Sequence, residues 1–379
     1  MAGTSHRLCA GDSSSLAHVQ TSSIALVVTS PPYPMIEMWD SLFGSRNLEI
    51  RKALEALDGD TAFSLMHADL SAVWREVARV LRPGGWACVN IGDATRKIGD
   101  RFKLYANHAR VIEQFSSMGF DVLPLVLWRK QTNAPNKFMG SGMLPAGAYV
   151  TLEHEYILIM RKGPKREFRT RGEKAVRQSS ALFWEERNRW FSDIWDFKGT
   201  RQLLDHPDLR ERSAAFPFEL PYRLISMYSV QGDTVLDPFL GTGTTTFAAM
   251  ACERNSIGVD VDQALVTAAV EEAVSMKPRL NRCILDRLRD HLDFVERCRQ
   301  EEKDLSHANL PHGFPVMTSQ ETSLELHCLE TITRTGPGEI DVSYRKIPAD
   351  EWRARVPASA GERSLFSTSR SGPESPATP

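Results

Sequence analysis

The sequence predicts an α/β fold: a mostly parallel sheet covered by helices on both faces, with an additional inserted module. Short apolar runs alternate with amphipathic stretches, as buried strands alternate with covering helices. That alternation lapses once, between Arg161 and Arg212, and then resumes. The chain of 379 residues also exceeds the usual size of a single domain.

Ile24 to Thr29 (IALVVT) has the β-branched character of a buried strand and stops at Ser30-Pro31-Pro32-Tyr33, a rigid loop. A helix is expected near Asp69 to Leu81, where Leu70, Val73, Val77, Val80 and Leu81 share a face, and Arg82-Pro83-Gly84-Gly85 ends it. The next strand spans Trp86 to Ile91. A helix over roughly Tyr105 to Met118 and strands at Val122 to Trp128 and Tyr156 to Met160 follow.

From Arg161 to Arg212 charge and aromatic residues (Phe168, Phe183, Trp184, Trp190, Phe191, Trp195, Phe197) mix without a clean period, which suits an inserted module with its own small core. Regularity returns with a helix around Pro221 to Ser229, the strand Thr234 to Asp237, a helix from about Thr244 to Glu253 and the strand Ser256 to Asp260. Leu280, Ile284, Leu288, Leu292 and Val295 mark a further helix beyond Lys277. The last residues, after Asp350, carry too little apolar content to offset ordering entropy, so a disordered tail is expected.

Composition narrows the classes. Hydrophobic content of 42% is ordinary for a globular chain, and no apolar run approaches the ~20 residues of a membrane span. The N-terminus lacks the pattern of a secretory signal, so a cytoplasmic location is expected. Six cysteines are scattered singly, with no C-x-x-C pair, and read as reduced packing residues without a metal. The net charge of -2 leaves the question of a polyanionic partner to local charge. Locally, Arg161 to Arg177 carries eight Lys/Arg against two Glu. Such a run suits phosphate neutralisation or, taken alone, a solvated loop equally well.

Two constellations carry chemistry. Asp237-Pro238-Phe239-Leu240-Gly241-Thr242-Gly243-Thr244 lies between a strand and a helix, where Gly241 and Gly243 let the backbone turn sharply beside a helix N-terminus. Asp260 closes the next strand about 20 positions later, as an acidic residue that holds ribose hydroxyls does. The pair describes an adenosine-type cofactor site. Gly-Lys-Ser/Thr is missing after the turn, which excludes a Walker phosphate loop.

The second constellation, Ser30-Pro31-Pro32-Tyr33, sits at a strand's carboxyl end, where open α/β sheets place ligands. Its prolines remove two N–H donors and leave carbonyl acceptors in fixed positions. The Ser30 hydroxyl and the Pro31 carbonyl would bind the hydrogens of a conjugated exocyclic amine and aim its lone pair at an electrophile. Tyr33 would stack on an extruded base. A plain Pro-Pro turn capping a strand is the competing reading of the tetrapeptide by itself.

Together these motifs resemble the β class of DNA amino-methyltransferases, in which the catalytic half precedes the cofactor half and the target-recognition region lies between. The resemblance spans roughly His6 to Val270. It implies a Rossmann-like methyltransferase sheet, S-adenosyl-L-methionine as cofactor and double-stranded DNA as substrate, with a cognate restriction endonuclease as a possible partner. Residues 6–160 would be the catalytic half, 161–212 the target-recognition region, 213–275 the cofactor half, 276–350 a helical extension and 351–379 the tail. Gly11-Asp12-Ser13 resembles the family's turn whose acid meets the adenine, and Phe216-Pro217 the segment near the cofactor's methionine end. His154-Glu155-Tyr156 resembles the late catalytic-half strand, whereas Arg212 departs from the family's usual His. Asp12, Phe216, Pro217, Asp237, Pro238, Phe239, Gly241, Gly243, Thr244 and Asp260 are therefore the cofactor candidates. Ser30, Pro31, Pro32 and Tyr33 are the catalytic ones. Lys165, Arg166, Arg169 and Arg171 are the DNA-binding candidates.

Ser at position 30 resembles the N4-cytosine members, whereas Asp or Asn before Pro-Pro-Tyr accompanies N6-adenine methylation, the alternative activity. C5 methylation is disfavoured because no cysteine follows a proline to serve as nucleophile. Asn-Pro-Pro-Tyr protein or RNA methyltransferases place the glycine turn first, the reverse of this order. A DNA-binding protein with a vestigial cofactor site is the non-enzymatic alternative, and the intact Asp237, Gly241, Gly243 and Asp260 set speaks against it.

Overall fold

The computed structural model describes residues 3–130, 139–140, 143–198, 216–349 and 351. The chain begins with β1 (Thr4–Ala10) and β2 (Ile24–Thr29), then α1 (Asp40–Arg46), α2 (Leu48–Glu55) and α3 (Gly59–Val80). There follow β3 (Leu81–Ile91), a hairpin of β4 (Ala94–Ile98) and β5 (Arg101–Tyr105), α4 (Asn107–Ser117), β6 (Phe120–Val122) and β7 (Val126–Arg129). A short pair, β8 (Met139–Gly140) and β9 (Ala148–Tyr149), precedes β10 (His154–Lys162). Next come α5 (Arg171–Ser179), α6 (Trp184–Trp190), β11 (Ile194–Asp196), α7 (Glu219–Tyr228), β12 (Thr234–Asp237), α8 (Thr244–Ala251) and β13 (Asn255–Asp260). The chain ends on α9 (Gln263–Ser275), α10 (Lys277–Gln300), the pair β14 (His307–Ala308) and β15 (Pro315–Val316), and the hairpin β16 (His327–Gly336) and β17 (Glu339–Lys346).

The central sheet runs β11-β7-β10-β3-β2-β12-β13-β1-β17-β16, with β6 pairing on β10. Its middle five strands, β3 to β1 in that order, are parallel, as the continuous apolar runs predict. Alternate side chains of β2 separate two cores: Leu26 and Val28 enter one, Val27 the other. Helices α1 to α4 cover the second core and α6 to α10 the first.

Helix α3 starts a full ten residues before the expected Asp69, because Asp58 caps it by accepting the Thr61 amide at 3.1 Å. Its buried stripe continues back through Met66 and Ala62. The expected strand Val122 to Trp128 is two strands instead. Pro124 has no N–H for the ladder, so pairing with β10 breaks between Val122 and Val126. Strand β3 reaches back through Arg82-Pro83-Gly84-Gly85, with an irregular register opposite Ile24 and Leu26.

Two larger expectations need correction. Residues 161–198 are not an independent inserted module: β11 pairs parallel to β7, and Phe183, Trp190, Trp195 and Phe197 are buried in the main core. A small insertion that adds a strand to an existing sheet needs no core of its own. The segment after Gln300 is not helical either. Strand β17 pairs antiparallel with β1, so 327–346 extend the same sheet. Candidate residues in 199–215, Arg212 among them, and the tail after 351 lie outside the described residues.

One buried ion pair ties residues 161–198 to the C-terminal helix. Arg287 of α10 donates from Nη2 to Glu186 Oε2 at 2.8 Å, with both residues almost fully buried. Arg287→Met is expected to destabilise the protein by about 3–5 kcal/mol in denaturant titration, because Glu186 stays charged and buried without its cation. Adding Glu186→Gln should recover part of that loss, and no recovery would show that packing rather than charge sets the cost.

Candidate active site

The carboxyl ends of β1, β2, β12 and β13 meet at one cleft of about 520 Å³. Gly241 and Gly243 both hold positive φ, 52° and 82°, which only glycine adopts without strain. A Cβ on Gly243 would lie 3.1 Å from that of Ala269 and 3.2 Å from the Phe247 ring. The Gly241 amide donates to Asp260 Oδ2 at 2.8 Å, and the Asp262 amide to Oδ1 at 3.0 Å. Asp260 thus fastens the glycine turn to β13 while still lining the cleft.

Asp237 is buried at the end of β12. Its Oδ1 accepts the Thr29 hydroxyl at 2.6 Å and the Phe239 amide at 3.1 Å. Burial pushes the Asp237 carboxyl up to about 7, and these hydrogen bonds only partly offset it. A buried carboxylate beside a cleft, bonded by a hydroxyl and an amide, suits a ligand that brings positive charge. Ser13 donates to the Pro238 carbonyl at 2.6 Å and pins the β1 turn to this loop.

On the catalytic side, Ser30, Pro31 and Pro32 line the cleft next to Asp237. Tyr33 does not. Its ring is buried in the core under α1 to α4, against Gly92, where a Cβ would stand 3.0 Å from the ring. The ring expected to stack on an extruded base is thus packed on protein rather than lining the cleft. The Tyr33 hydroxyl donates to Glu155 Oε2 at 2.9 Å, accepts from Asn90 Nδ2 at 2.8 Å and lies 3.0 Å from Ser30 Oγ. Burial first, then the charge of Glu155, raises it well above its ordinary value, so the phenol stays protonated. Just beyond, Met35 holds a left-handed φ of 68°, an uncommon conformation for a side chain of its size. Asn107 Nδ2 steadies the loop by donating to the Pro34 carbonyl at 3.0 Å and the Gly92 carbonyl at 2.9 Å.

Of the expected cofactor residues, Asp12, Phe216, Asp237, Pro238, Phe239, Gly241, Thr244 and Asp260 line the cleft, whereas Pro217 and Gly243 do not. Sequence reasoning missed α1 and Arg46. The Arg46 guanidinium bridges Asp12 Oδ2 at 2.8 Å and Asp69 Oδ2 at 2.6 Å across the mouth. No motif marks Arg46, since its partners come from distant segments.

The DNA-binding candidates fall elsewhere. Arg166 Nη1 donates to Asp233 Oδ2 at 2.8 Å, at the amino end of β12. That is four residues from Asp237, about 13 Å along the strand and on the opposite edge of the sheet. Lys165, Arg169 and Arg171 belong to the same segment, with Arg169 paired to Glu167. The basic run therefore begins at the end of the sheet opposite the cleft. β10 runs antiparallel to β3 and so delivers Lys162 and the basic segment after it to the far edge.

The chain matches the DNA methylase family over residues 24–271. It belongs to that family. The type II methyltransferase M.MthZI of Methanothermobacter thermautotrophicus is 48% identical over 93% of this chain and 99% of its own length. M.MjaI of Methanocaldococcus jannaschii, likewise a type II methyltransferase, is 50% identical over 73% of this chain and 93% of its length. TTHA0409 of Thermus thermophilus, solved in complex with S-adenosyl-L-methionine, superposes with a TM-score of 0.55 at 32% identity, covering 71% of this chain and 93% of that one.

The cleft of this DNA methylase fits the cofactor that the resemblance implies. It offers a left-handed glycine turn, an acid on the neighbouring strand and a buried carboxylate suited to positive charge. Among the described residues no cluster of His, Cys, Asp and Glu is suited to a metal ion.

Asp237 makes stability depend on pH in a defined sense. Its carboxyl rises from 3.8 unfolded to about 7 folded, so the folded state gains below pH 4 and loses that gain as pH climbs through 7. Asp237→Asn removes the buried charge, and its folding stability relative to the parent should grow between pH 4 and 7, by at most about 4 kcal/mol. Thermal unfolding of both proteins across that range checks this. A difference that stays constant with pH would mean that Asp237 does not titrate there.

Proposed function

We propose that this enzyme methylates N4 of cytosine within a specific double-stranded DNA sequence, as the modification half of a restriction–modification pair. Ser30 carries the reading: a hydroxyl on the cleft wall next to Asp237, in a loop whose prolines offer acceptors and no competing N–H. The type II methyltransferase names of the relatives support the pairing with a nuclease.

S-adenosyl-L-methionine, when bound, supplies an electrophilic methyl group on a positively charged sulfur. Gly241, Asp260, Asp12, Phe216 and Phe239 would hold it, with Asp237 providing negative charge nearby. Ser30 Oγ and the Pro31 carbonyl would each accept one hydrogen of the base amine. Those bonds favour a pyramidal nitrogen, whose lone pair is freed from the ring and directed into the cleft. Reaching that loop requires the base to leave the duplex.

DNA is expected on the edge of the sheet that carries the cleft. There the β4–β5 hairpin follows the carboxyl end of β3 and bears Arg96, Lys97, Arg101 and Lys103. Arg96 is held by Asp40 through Nη1 at 2.8 Å, whereas Lys97 and Arg101 are exposed. Phe102 stacks on Tyr149 at 4.8 Å, joining this hairpin to β9.

Replacing Lys97 and Arg101 with Ala is expected to weaken DNA binding and to lower the salt slope by about one per lost phosphate contact. Lys165→Ala with Arg169→Ala should leave the slope unchanged, and a loss there instead would put DNA on the opposite edge. Ser30→Ala should reduce turnover by roughly 10²–10³ while cofactor affinity survives. Mass spectrometry of nucleosides from modified DNA tests the base: N4-methylcytosine is expected, and N6-methyladenine as sole product would refute the cytosine reading and keep the fold.

A further inference from the structure

Behind the cleft wall lies a buried chain of polar groups that cofactor binding leaves unused. Tyr33 has one proton, and it points to Glu155 Oε2 at 2.9 Å. The contact between Ser30 Oγ and Tyr33, 3.0 Å long, must then be donated by Ser30. Asn90 Nδ2 reaches both the Tyr33 oxygen at 2.8 Å and Glu155 Oε2 at 2.7 Å. Flipping that amide would set its oxygen against a carboxylate, so the network fixes its orientation. On the outer side, Lys130 at the end of β7 pairs with Glu155 Oε1 and is itself half-exposed. Glu155 is 8% exposed. The network draws on the β2 loop, β3, β7 and β10, which converge behind Ser30 at the same end of the sheet as the cleft.

We infer that Glu155 is the proton sink of the methyl transfer, reached from the base through Ser30 and Tyr33, and that it holds Ser30 as an acceptor toward the amine. Because the Ser30 proton is committed to Tyr33, both lone pairs of Ser30 Oγ are left for the substrate. During transfer the N–C bond forms as the S–C bond breaks and leaves its electron pair on sulfur, so the base nitrogen carries one surplus proton. That proton passes to Ser30 Oγ, the Ser30 proton to the Tyr33 oxygen and the Tyr33 proton to Glu155 Oε2. The neutral carboxyl then releases its proton to solvent on the Lys130 side. Tyr33 never becomes a phenolate, since it gains one proton as it gives one up. The inference rests on the reading of Ser30 as amine acceptor and is indifferent to whether the base is cytosine or adenine.

The test is methyl transfer to DNA by the full-length enzyme carrying Glu155→Gln. Gln keeps an oxygen for the Tyr33 hydroxyl and so preserves position, but it cannot take the proton. We expect kcat to fall by about 10²–10⁴, with KM for both substrates within about threefold of the parent. Tyr33→Phe, which removes one oxygen and keeps the packed ring, should lose about as much. The double variant should be no worse than either, because one broken link already stops the chain. If Glu155→Gln fails to fold, Tyr33→Phe alone decides. A kcat above about one-tenth of the parent in the folded variant, or losses that multiply in the double variant, overturns the inference. Ser30→Ala separates the layers. If it is inactive while Glu155→Gln and Tyr33→Phe turn over normally, the relay is wrong and the acceptor reading stands; if it is active as well, that reading falls.

Discussion

Everything at this site depends on β2 and β12 being neighbours. They pair in parallel, Leu26 beside Val235 and Val27 beside Leu236, although they lie more than two hundred positions apart in the sequence. Both strands end at the same level, and the Thr29 hydroxyl closes the gap by donating to Asp237 at 2.6 Å. Ser30 is the next residue on one strand and Pro238 the next on the other. The Ser-Pro-Pro-Tyr loop and the glycine turn are thus brought side by side by backbone pairing. A one-residue slip of β2 would turn Thr29 away from Asp237 and move Leu26 and Val28 to the wrong core.

The site concentrates buried polarity that the rest of the sheet avoids. Asp237, Glu155, Asn90 and Tyr33 are all nearly inaccessible, and each would weaken the fold if it stood alone. They are tolerated because each is bonded to another, or to a hydroxyl or amide from a neighbouring strand. Asp237 is the exception in kind, a carboxylate whose affinity for protons is raised because burial disfavours its charged form.

Much of this was legible in the sequence, because strands and glycine turns are written locally. The run IALVVT, the strand Thr234–Asp237 and the turn before Thr244 each carry their own pattern, and all three stand where that pattern puts them. Arg46 was not legible: its meaning comes from Asp12 and Asp69, one on another loop and one on α3. The burial of Tyr33 was not legible for a related reason. An aromatic residue beside a catalytic loop suggests stacking, but Gly92, nearly sixty positions on, leaves the space into which its ring sinks. Over the described residues 161–198, Phe183, Trp190, Trp195 and Phe197 join the main core, and nothing local told that they would complete a core built by other segments.

The basic run shows most clearly why charge counted along a chain does not locate a partner. Eight cations in seventeen residues look like a phosphate clamp, yet strand direction, not composition, decides which edge of the sheet they occupy. Arg166 and Arg82 both converge on Asp233, and Lys162 donates to the Ala78 and Leu81 carbonyls at 2.5 and 2.7 Å, capping the end of α3. Lys162, Arg166 and Arg82 serve as fasteners for that end of the sheet. The sheet thereby divides its labour between two edges: one is closed by ion pairs and helix caps, and the other carries Ser30, Asp237 and Glu155. Chemistry collects on the second edge because parallel strands all release their loops there, so residues from five separate segments meet without any of them being adjacent in sequence.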